Sequence, residues 1–397
     1  MKKKMFACVG VSILLCTACA PTEYRIDQDA DYLTIQEQLK STSPNEVPEH
    51  VKLTIAEDIE MDADIFLPDN LKEYKLQDMY FTRKMYSDTE KKKIAKELSE
   101  QFQQEVINET TYEVNELENG KEEKVYRIDF QGKDNTSILV GECMLWMLIG
   151  DFHKLDIIYG NQTISNSLHW NYEKDRELNF ATVQKAKEEF LKLLQQCDVE
   201  VAERIDCYSL DAATMQKIYE EQDKGFMEIN NAGDYSYGTE DEAYALEAYH
   251  SYKGIPFYPY ETTQNLCKTE QEMRSMCSCY YNREGIIKFT VNYRLEKERA
   301  GEEQQIITIG DVMEKNVERL NSVVGMGPIV IKDITLNYLP VLEDGEKMEF
   351  HGIPIYSVLY QQKELFQVYG GESYYVWNCK VINYNAYTGE VIYNMTN

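Results

Sequence analysis

The stretch Phe350-His351-Gly352-Ile353-Pro354-Ile355-Tyr356 matches an earlier one, Tyr252-Lys253-Gly254-Ile255-Pro256-Phe257-Tyr258. Each follows a helical apolar face and an apolar strand, and each precedes a long alternating strand and a turn. Chance matching is the alternative, since Gly-Ile-Pro is short and strands are common. Because element order and motif recur together, the sequence predicts an α+β fold of helix-on-antiparallel-sheet modules, duplicated in the C-terminal half at residues 176–304 and 305–397.

The first predicted copy has an insertion around residues 211–252. One helix is predicted to open at Asp211, and another at Thr239, where Glu242 follows three residues later as in a capping box. The apolar faces of the two main helices contain Phe180, Val183, Phe190, Leu191 and Leu194 in the first copy, and Ile309, Val312, Met313, Val317, Leu320 and Val324 in the second.

Residues 51–175 are predicted to form a separate N-terminal α+β domain. Ser87 and Glu90 have capping-box spacing, and an apolar residue then recurs every four positions from Ile94 to Val106, which predicts a helix. Two strands, Thr111–Leu117 and Lys124–Gln131, flank an Asn-Gly turn. The apolar run from Ile138 to Ile149 predicts one buried strand or helix.

The first twenty residues predict export. Lys2, Lys3 and Lys4 precede a short apolar run, so residues 1–18 are predicted to be a signal peptide. The Thr17-Ala18-Cys19 ending resembles the bacterial lipoprotein signal, although Cys16 stands where that family usually has leucine. The resemblance implies lipidation of Cys19 and a place on the extracytoplasmic face of the cell membrane. An ordinary secretory signal is the alternative.

Residues 19–50 are predicted to be a lipidated N-terminus and flexible tether, because they are rich in Asp, Ser, Pro and Asn. Removal of residues 1–18 leaves 38 basic side chains against 69 acidic ones, a formal charge near −31. Such a surface repels phosphate backbones, which disfavours a nucleic-acid partner. The chain has 30 tyrosines against 13 phenylalanines. Tyrosine suits half-buried sheet faces, and it also suits contacts with glycans or peptides.

The cysteines do not predict a disulfide framework. Seven would remain in the mature chain besides Cys19, and an odd number cannot all pair within one molecule. Cys277 and Cys279 are too close together for the usual zinc spacing. A bridge between Cys197 and Cys207 is one alternative, and burial as small apolar side chains is the other. The seven are Cys143, Cys197, Cys207, Cys267, Cys277, Cys279 and Cys379.

Motifs of known chemistry are absent from the sequence. Residues 233–238 miss the Gly-x-Ser-x-Gly elbow by one position, and the five histidines have no metal-binding spacing. Asp62 and Asp64 lie near other acids but lack a calcium loop. No catalytic, cofactor-binding or metal-binding residue is therefore predicted. A carboxylate pair suited to glycoside hydrolysis stays open, since 69 acids offer many pairs.

The C-terminal segment Asn385-Ala386-Tyr387-Thr388-Gly389-Glu390-Val391-Ile392 resembles the closing strand-turn-strand of PepSY-type modules. The same ending occurs in the YycH/YycI-like membrane-anchored regulators of Gram-positive bacteria, and the whole chain resembles lipoproteins of gut Firmicutes. The resemblance implies a module that binds a protein or peptide partner at the cell envelope and has no catalytic residues. A lipoprotein that binds a solute or glycan is the alternative, followed by a cell-envelope hydrolase.

Overall fold

The computed structural model describes most of the chain beyond the N-terminal segment. The described residues are 37–56, 58–100, 105–115, 122–131, 136–150, 152–160, 172–222, 235–258, 276–292, 294–322, 327–344, 349–367 and 373–392. Within them, strands far outnumber helices.

The strands are β1 His50–Ala56, β2 Ile59–Phe66, β3 Lys75–Arg83, β4 Val106–Asn115, β5 Glu122–Phe130, β6 Ser137–Val140, β7 Leu145–Leu148, β8 Val201–Leu210, β9 Ala243–Tyr252, β10 Ile255–Pro256, β11 Met276–Asn282, β12 Gly285–Val291, β13 Leu295–Gln305, β14 Ile329–Asp344, β15 Glu349–Gln367, β16 Ser373–Asn385 and β17 Val391–Ile392. The longer helices are α1 Asp88–Ser99, α2 Val183–Gln196, α3 Ala212–Gln222 and α4 Ile309–Ser322. Short helical turns cover Pro44–Glu46, His153–Leu155, Asp156–Gly160 and Thr239–Asp241.

The first sheet has the order β1-β2-β14-β15-β16-β17, and β3 joins it by pairing with the start of β15 and with β13. β2 and β14 run parallel, whereas the other pairs of this sheet are antiparallel. Apolar residues of α4, such as Ile309, Val312 and Val317, pack with Tyr356 and Val358 of β15 in its core. The helix therefore covers one face of the first sheet.

The second sheet has the order β10-β9-β11-β12-β7-β6-β5-β4, and β8 also pairs with β9. Leu98 of α1 and Phe190 of α2 belong to the core on one face, which we call the helix face. On the opposite face, Met215 of α3 and Ile158 of the short helical turn cover part of the sheet near β8 and β9.

The second sheet is inserted into the first. β3 and β13 pair with each other in the first sheet, and all strands of the second sheet lie between them in sequence. At the base of the insertion the Lys84 amide donates to the Arg294 carbonyl at 2.9 Å. The first sheet therefore depends on residues from both ends of the described chain. The boundaries at 175/176 and 304/305 stay sequence-based predictions.

The prediction of duplicated helix-on-sheet α+β modules is wrong, because the described chain is mostly strand and forms two large sheets. The two motif glycines lie in different settings. Gly254 has φ +76° in the turn between β9 and β10, whereas Gly352 lies inside β15. A Cβ on Gly352 would meet Phe81 Cε2 at 2.4 Å. The first glycine is needed for a left-handed backbone and the second for close packing, so their shared tripeptide reflects no common structure.

Two predictions of where a helix begins are confirmed, and one prediction of a single element is wrong. The Ser87 capping box is confirmed, with the Ser87 amide donating to Glu90 Oε2 at 2.8 Å. The helix opening at Asp211 is confirmed by α3, where the Thr214 amide donates to Asp211 Oδ1 at 3.0 Å. The predicted single element at 138–149 is instead the hairpin of β6 and β7, because a turn at Gly141 interrupts the apolar run.

Residues near the end of the predicted tether, 19–50, contact the folded body. Leu39 is buried in the core of the first sheet, and Lys40 forms an ion pair with Glu314 of α4. An apolar side chain in a core fixes the backbone around it. We therefore place any flexible tether before residue 37.

Candidate interaction surface

One row of side chains crosses the second sheet on the face opposite the helix face. The strand registers place these residues side by side, from β4 at the edge to β8 near the first sheet. The row is half-buried or exposed from β4 to β7, and its last two members, on β9 and β8, are buried. Its members are Thr110, Arg127, Leu139, Trp146, Thr290, Ser278, Glu247 and Asp206.

The exposed end combines large apolar side chains with an open strand edge. Val106, Ile107 and Tyr112 of β4 are exposed, with Ile107 at 61%, and Trp146 of β7 is exposed as well. Among the described residues β4 pairs with β5 alone. Exposed apolar side chains beside an open edge are typical of a surface that contacts another chain.

The buried end is a charge network that joins the two sheets. Arg204 of β8 donates to Asp206 Oδ1 from Nε at 3.0 Å, and its Nη2 lies 2.6 Å from Asp333 Oδ2 on β14. Its Nη1 donates to Thr335 Oγ1 at 3.2 Å. Both strands are irregular here, since the β14 register shifts at Lys332 and the β8 register shifts before residue 205. Such bulges re-aim side chains, which lets Arg204 reach across to the first sheet.

Two buried carboxylates meet in this network. Tyr249 Oη donates to Asp206 Oδ2 at 3.0 Å and lies 3.4 Å from Glu247 Oε2, while Tyr159 Oη donates to Glu247 Oε1 at 2.8 Å. Burial raises the pKa of Asp206, but the charges of Arg204 and Lys174 outweigh it and hold that pKa well below its usual range. An ionised, fully engaged Asp206 is no proton donor, so the pair fits a structural role better than acid–base catalysis.

The acidic pair considered for calcium is neutralised by nearby cations. Asp64 lies 2.8 Å from His50 Nδ1 and 3.6 Å from Lys174 Nζ, and Asp62 lies 3.3 Å from Lys332 Nζ. Among the described residues there is no group of three or more His, Cys, Asp or Glu side chains placed to hold a metal ion.

Six of the seven cysteines that follow Cys19 are described, and all six are buried thiols that form no disulfide with one another; Cys267 lies outside the described residues. Cys277 Sγ lies 3.6 Å from His250 Nε2. Burial raises the pKa of Cys277 and lowers the pKa of His250 to about 4, so thiol and imidazole are both neutral. An activated cysteine–histidine pair requires the opposite, a thiolate beside an imidazolium.

Cys19, the predicted lipidation site, and the predicted signal peptide lie outside the described residues. No helix in the described part of the chain is long and apolar enough to cross a membrane. The predicted C-terminal turn is present, since Asn385 Oδ1 accepts from the Tyr387 amide at 2.9 Å and β16 pairs with β17 beyond it.

The sequence patterns did not predict that β4 forms the open edge of a sheet. Val106 continues the four-residue apolar spacing of α1, but that helix ends at Ser99 and Val106 begins β4. The run Val106-Ile107-Asn108-Glu109-Thr110-Thr111-Tyr112 contains the β-branched and aromatic residues that favour a strand, and this signal was available. No sequence signal paired Arg204 with Asp333, because bulges in two different sheets bring them together.

The fold is shared with a known structure. The crystal structure of an uncharacterized protein from Eubacterium rectale matches with a TM-score of 0.73 and 18% identity, over 91% of this chain and 99% of that one. At this identity the likeness shows a common fold alone. No family model and no curated protein matches the chain.

Proposed function

We propose that the chain is a membrane-anchored extracytoplasmic lipoprotein that binds a protein or peptide partner at the cell envelope and performs no catalysis of its own. The observation that carries this proposal is the open edge of β4 with the exposed apolar side chains on it. Seven large apolar side chains are exposed in the described residues, and three of them, Val106, Ile107 and Tyr112, lie on β4. Exposed apolar side chains beside an open strand edge are typical of binding surfaces.

The anchor and tether support a partner at the membrane. Cys19 would carry the lipid, and the residues between it and position 37 would connect it to the body. A flexible segment of this length has a root-mean-square reach of about 20–25 Å. The body would therefore stay close enough to contact neighbouring membrane proteins.

Charge supports a basic partner. The chain has a formal net charge of −28, and without the signal segment it is more negative still. Opposite charge across an interface speeds association and makes it sensitive to salt. The resemblance of the C-terminal strand-turn-strand to PepSY-type and YycH/YycI-like modules points to the same kind of role.

The alternatives have less support. A cleft lined by Pro44, Val47 and Leu67 encloses about 130 Å³. Small-molecule sites usually enclose about 300–1,000 Å³, so this cleft does not support solute binding. The buried carboxylate pair of Asp206 and Glu247 gives a hydrolase little support, because Tyr249 and Arg204 donate to Asp206 and Tyr159 donates to Glu247 within the protein. A solute- or glycan-binding role rests on the 30 tyrosines of the chain and on the exposed aromatic side chains Trp146 and Trp377.

Crosslinking in intact cells tests the proposal. A short lysine-reactive crosslinker followed by mass spectrometry should capture an envelope protein with the full-length chain, and Cys19→Ser should abolish that capture by releasing the body. Isolation of the chain with a bound glycan and no captured protein would favour the alternative. Turnover of peptidoglycan by the purified chain would overturn the non-enzyme proposal.

A further inference from the structure

β4 is an edge strand of ten residues at the end of the second sheet. A strand paired on one side presents a row of backbone N–H and C=O groups on the other. Every side chain from Val106 to Glu113 is exposed or half-buried, so no element of the described chain packs over these eight residues. The edge is therefore accessible along most of its length.

β4 has fewer charged side chains than β13, an edge strand of the first sheet. β13 is an exposed strand with six charged side chains among its eleven residues, of both signs. β4 contains Glu109 and Glu113 as its charges, with no lysine, arginine or proline. Its register shifts at Val106 and Asn108, at its start, and pairing is then regular to Asn115. The usual devices against strand addition are missing over most of β4.

The two faces of β4 differ in chemistry. Glu109 and Glu113 point to the helix side of the sheet, since Glu109 lies opposite Ile128 of the core. Thr110 and Tyr112 point to the other side, in line with Arg127 and exposed Trp146. A strand added here would meet the carboxylates of Glu109 and Glu113 on one face, and the side chains of Asn108, Thr110 and Tyr112 on the other.

We infer that β4 binds an extended segment of a partner protein as an added strand, with basic side chains of that segment facing Glu109 and Glu113. This rests on the proposed function and names its surface. Main-chain hydrogen bonds would supply affinity, and the alternating faces would supply specificity. A second copy is a poorer occupant, because two bodies of net charge −28 repel each other.

The test uses the purified full chain and a fluorescent peptide of about ten residues with alternating valine and lysine. A control peptide has proline in place of each valine, which keeps the charge but prevents strand pairing. We expect the valine peptide to bind, the proline peptide not to bind, and hydrogen exchange to slow in residues 106–115 on binding. Failure of the valine peptide to bind, or protection elsewhere, would overturn the inference.

Two matched variants separate site binding from general attraction. Glu113→Lys and Glu302→Lys change the net charge equally at two exposed positions, one on β4 and one on β13. Glu113→Lys should weaken binding of the valine peptide by about tenfold, and Glu302→Lys should weaken it by less than about twofold. Equal weakening, or a dimer of the free chain formed through β4, would contradict the inference. If crosslinking in cells captures a partner but the valine peptide does not bind at β4, the inference about β4 is wrong and the proposed function is still supported.

Discussion

Replacement of Arg204 by methionine tests whether one buried guanidinium holds the two sheets together. Its side chain is 16% exposed, and those of Asp206 and Asp333 are 7% and 8% exposed. Removing one partner of a buried ion pair leaves a charge without compensation and typically costs about 3–5 kcal/mol. Asp206 would keep Lys174 at 3.3 Å and the Tyr249 hydroxyl. Asp333 would lose its cation, and we therefore expect Arg204→Met to lower the free energy of unfolding by about 3 kcal/mol.

Urea unfolding followed by tryptophan fluorescence measures this loss. Lys93→Met is the matched control, because Lys93 forms an exposed ion pair with Glu97 within α1; such pairs contribute about 0.3–0.5 kcal/mol. A double-mutant cycle with Asp333→Asn should show coupling between Arg204 and Asp333. Coupling below about 0.5 kcal/mol, or equal losses in Arg204→Met and Lys93→Met, would refute the reasoning.

Four further predictions follow from individual sites. Gly352→Ala should destabilise the fold by about 1–3 kcal/mol in urea unfolding, since its Cβ would meet buried Phe81 Cε2 at 2.4 Å. Gly301→Ala is the control, because a Cβ there would come no closer than 3.3 Å to Asp78, and equal effects would contradict the packing argument. Because burial lowers the pKa of His250 to about 4, its contribution to stability is full above an unfolded pKa near 6.5 and falls as the pH drops toward 4. The free energy of unfolding should therefore fall by roughly 2 kcal/mol between about pH 7 and pH 5. The fall should be smaller in the His250→Gln variant, and identical pH profiles of the two proteins would contradict this. Alkylation of unreduced protein should label the six described thiols after unfolding and leave them unlabelled in the folded state, with fewer than six labels by mass spectrometry as the contrary result. Cys19→Ser should leave the precursor unprocessed or release the body to the medium, whereas unchanged membrane partitioning would count against lipidation.

Local elements were predictable where one short segment decides them. The capping box at Ser87 and most of the predicted apolar faces of α2 and α4 follow from spacing within a few turns, and the structure contains them. Phe180 precedes α2, and Val324 lies outside the described residues. Hydrogen bonds and side-chain contacts within a helix depend on residues three and four apart, which the sequence shows directly.

The architecture was not predictable in the same way. β3 and β13 pair across more than two hundred positions, and nothing in either strand indicates the other. The Gly-Ile-Pro match was misleading, because glycine serves left-handed turns and close packing equally well. Arg204 and Asp333 look like two surface charges in sequence, and they become a buried pair only once two bulged strands are brought together.

The open edge of β4 was predictable in part. Its strand character was legible in Thr110, Thr111 and Tyr112, but its position at the end of a sheet was not. Edge status depends on which strands are absent beside it, and that is a property of the whole fold. The candidate surface could therefore be recognised as a strand from sequence, but as a binding edge only from structure.

Site-specific photocrosslinking in intact cells tests the central proposal most directly. Tyr112 is exposed on β4, and replacing it with a photoreactive phenylalanine derivative keeps an aromatic ring in place; position 302 on exposed β13 takes the same derivative as the control. A binding module that uses β4 predicts a covalent adduct with one envelope protein from position 112 and none from position 302. No adduct from either position, or the same adducts from both, would contradict it.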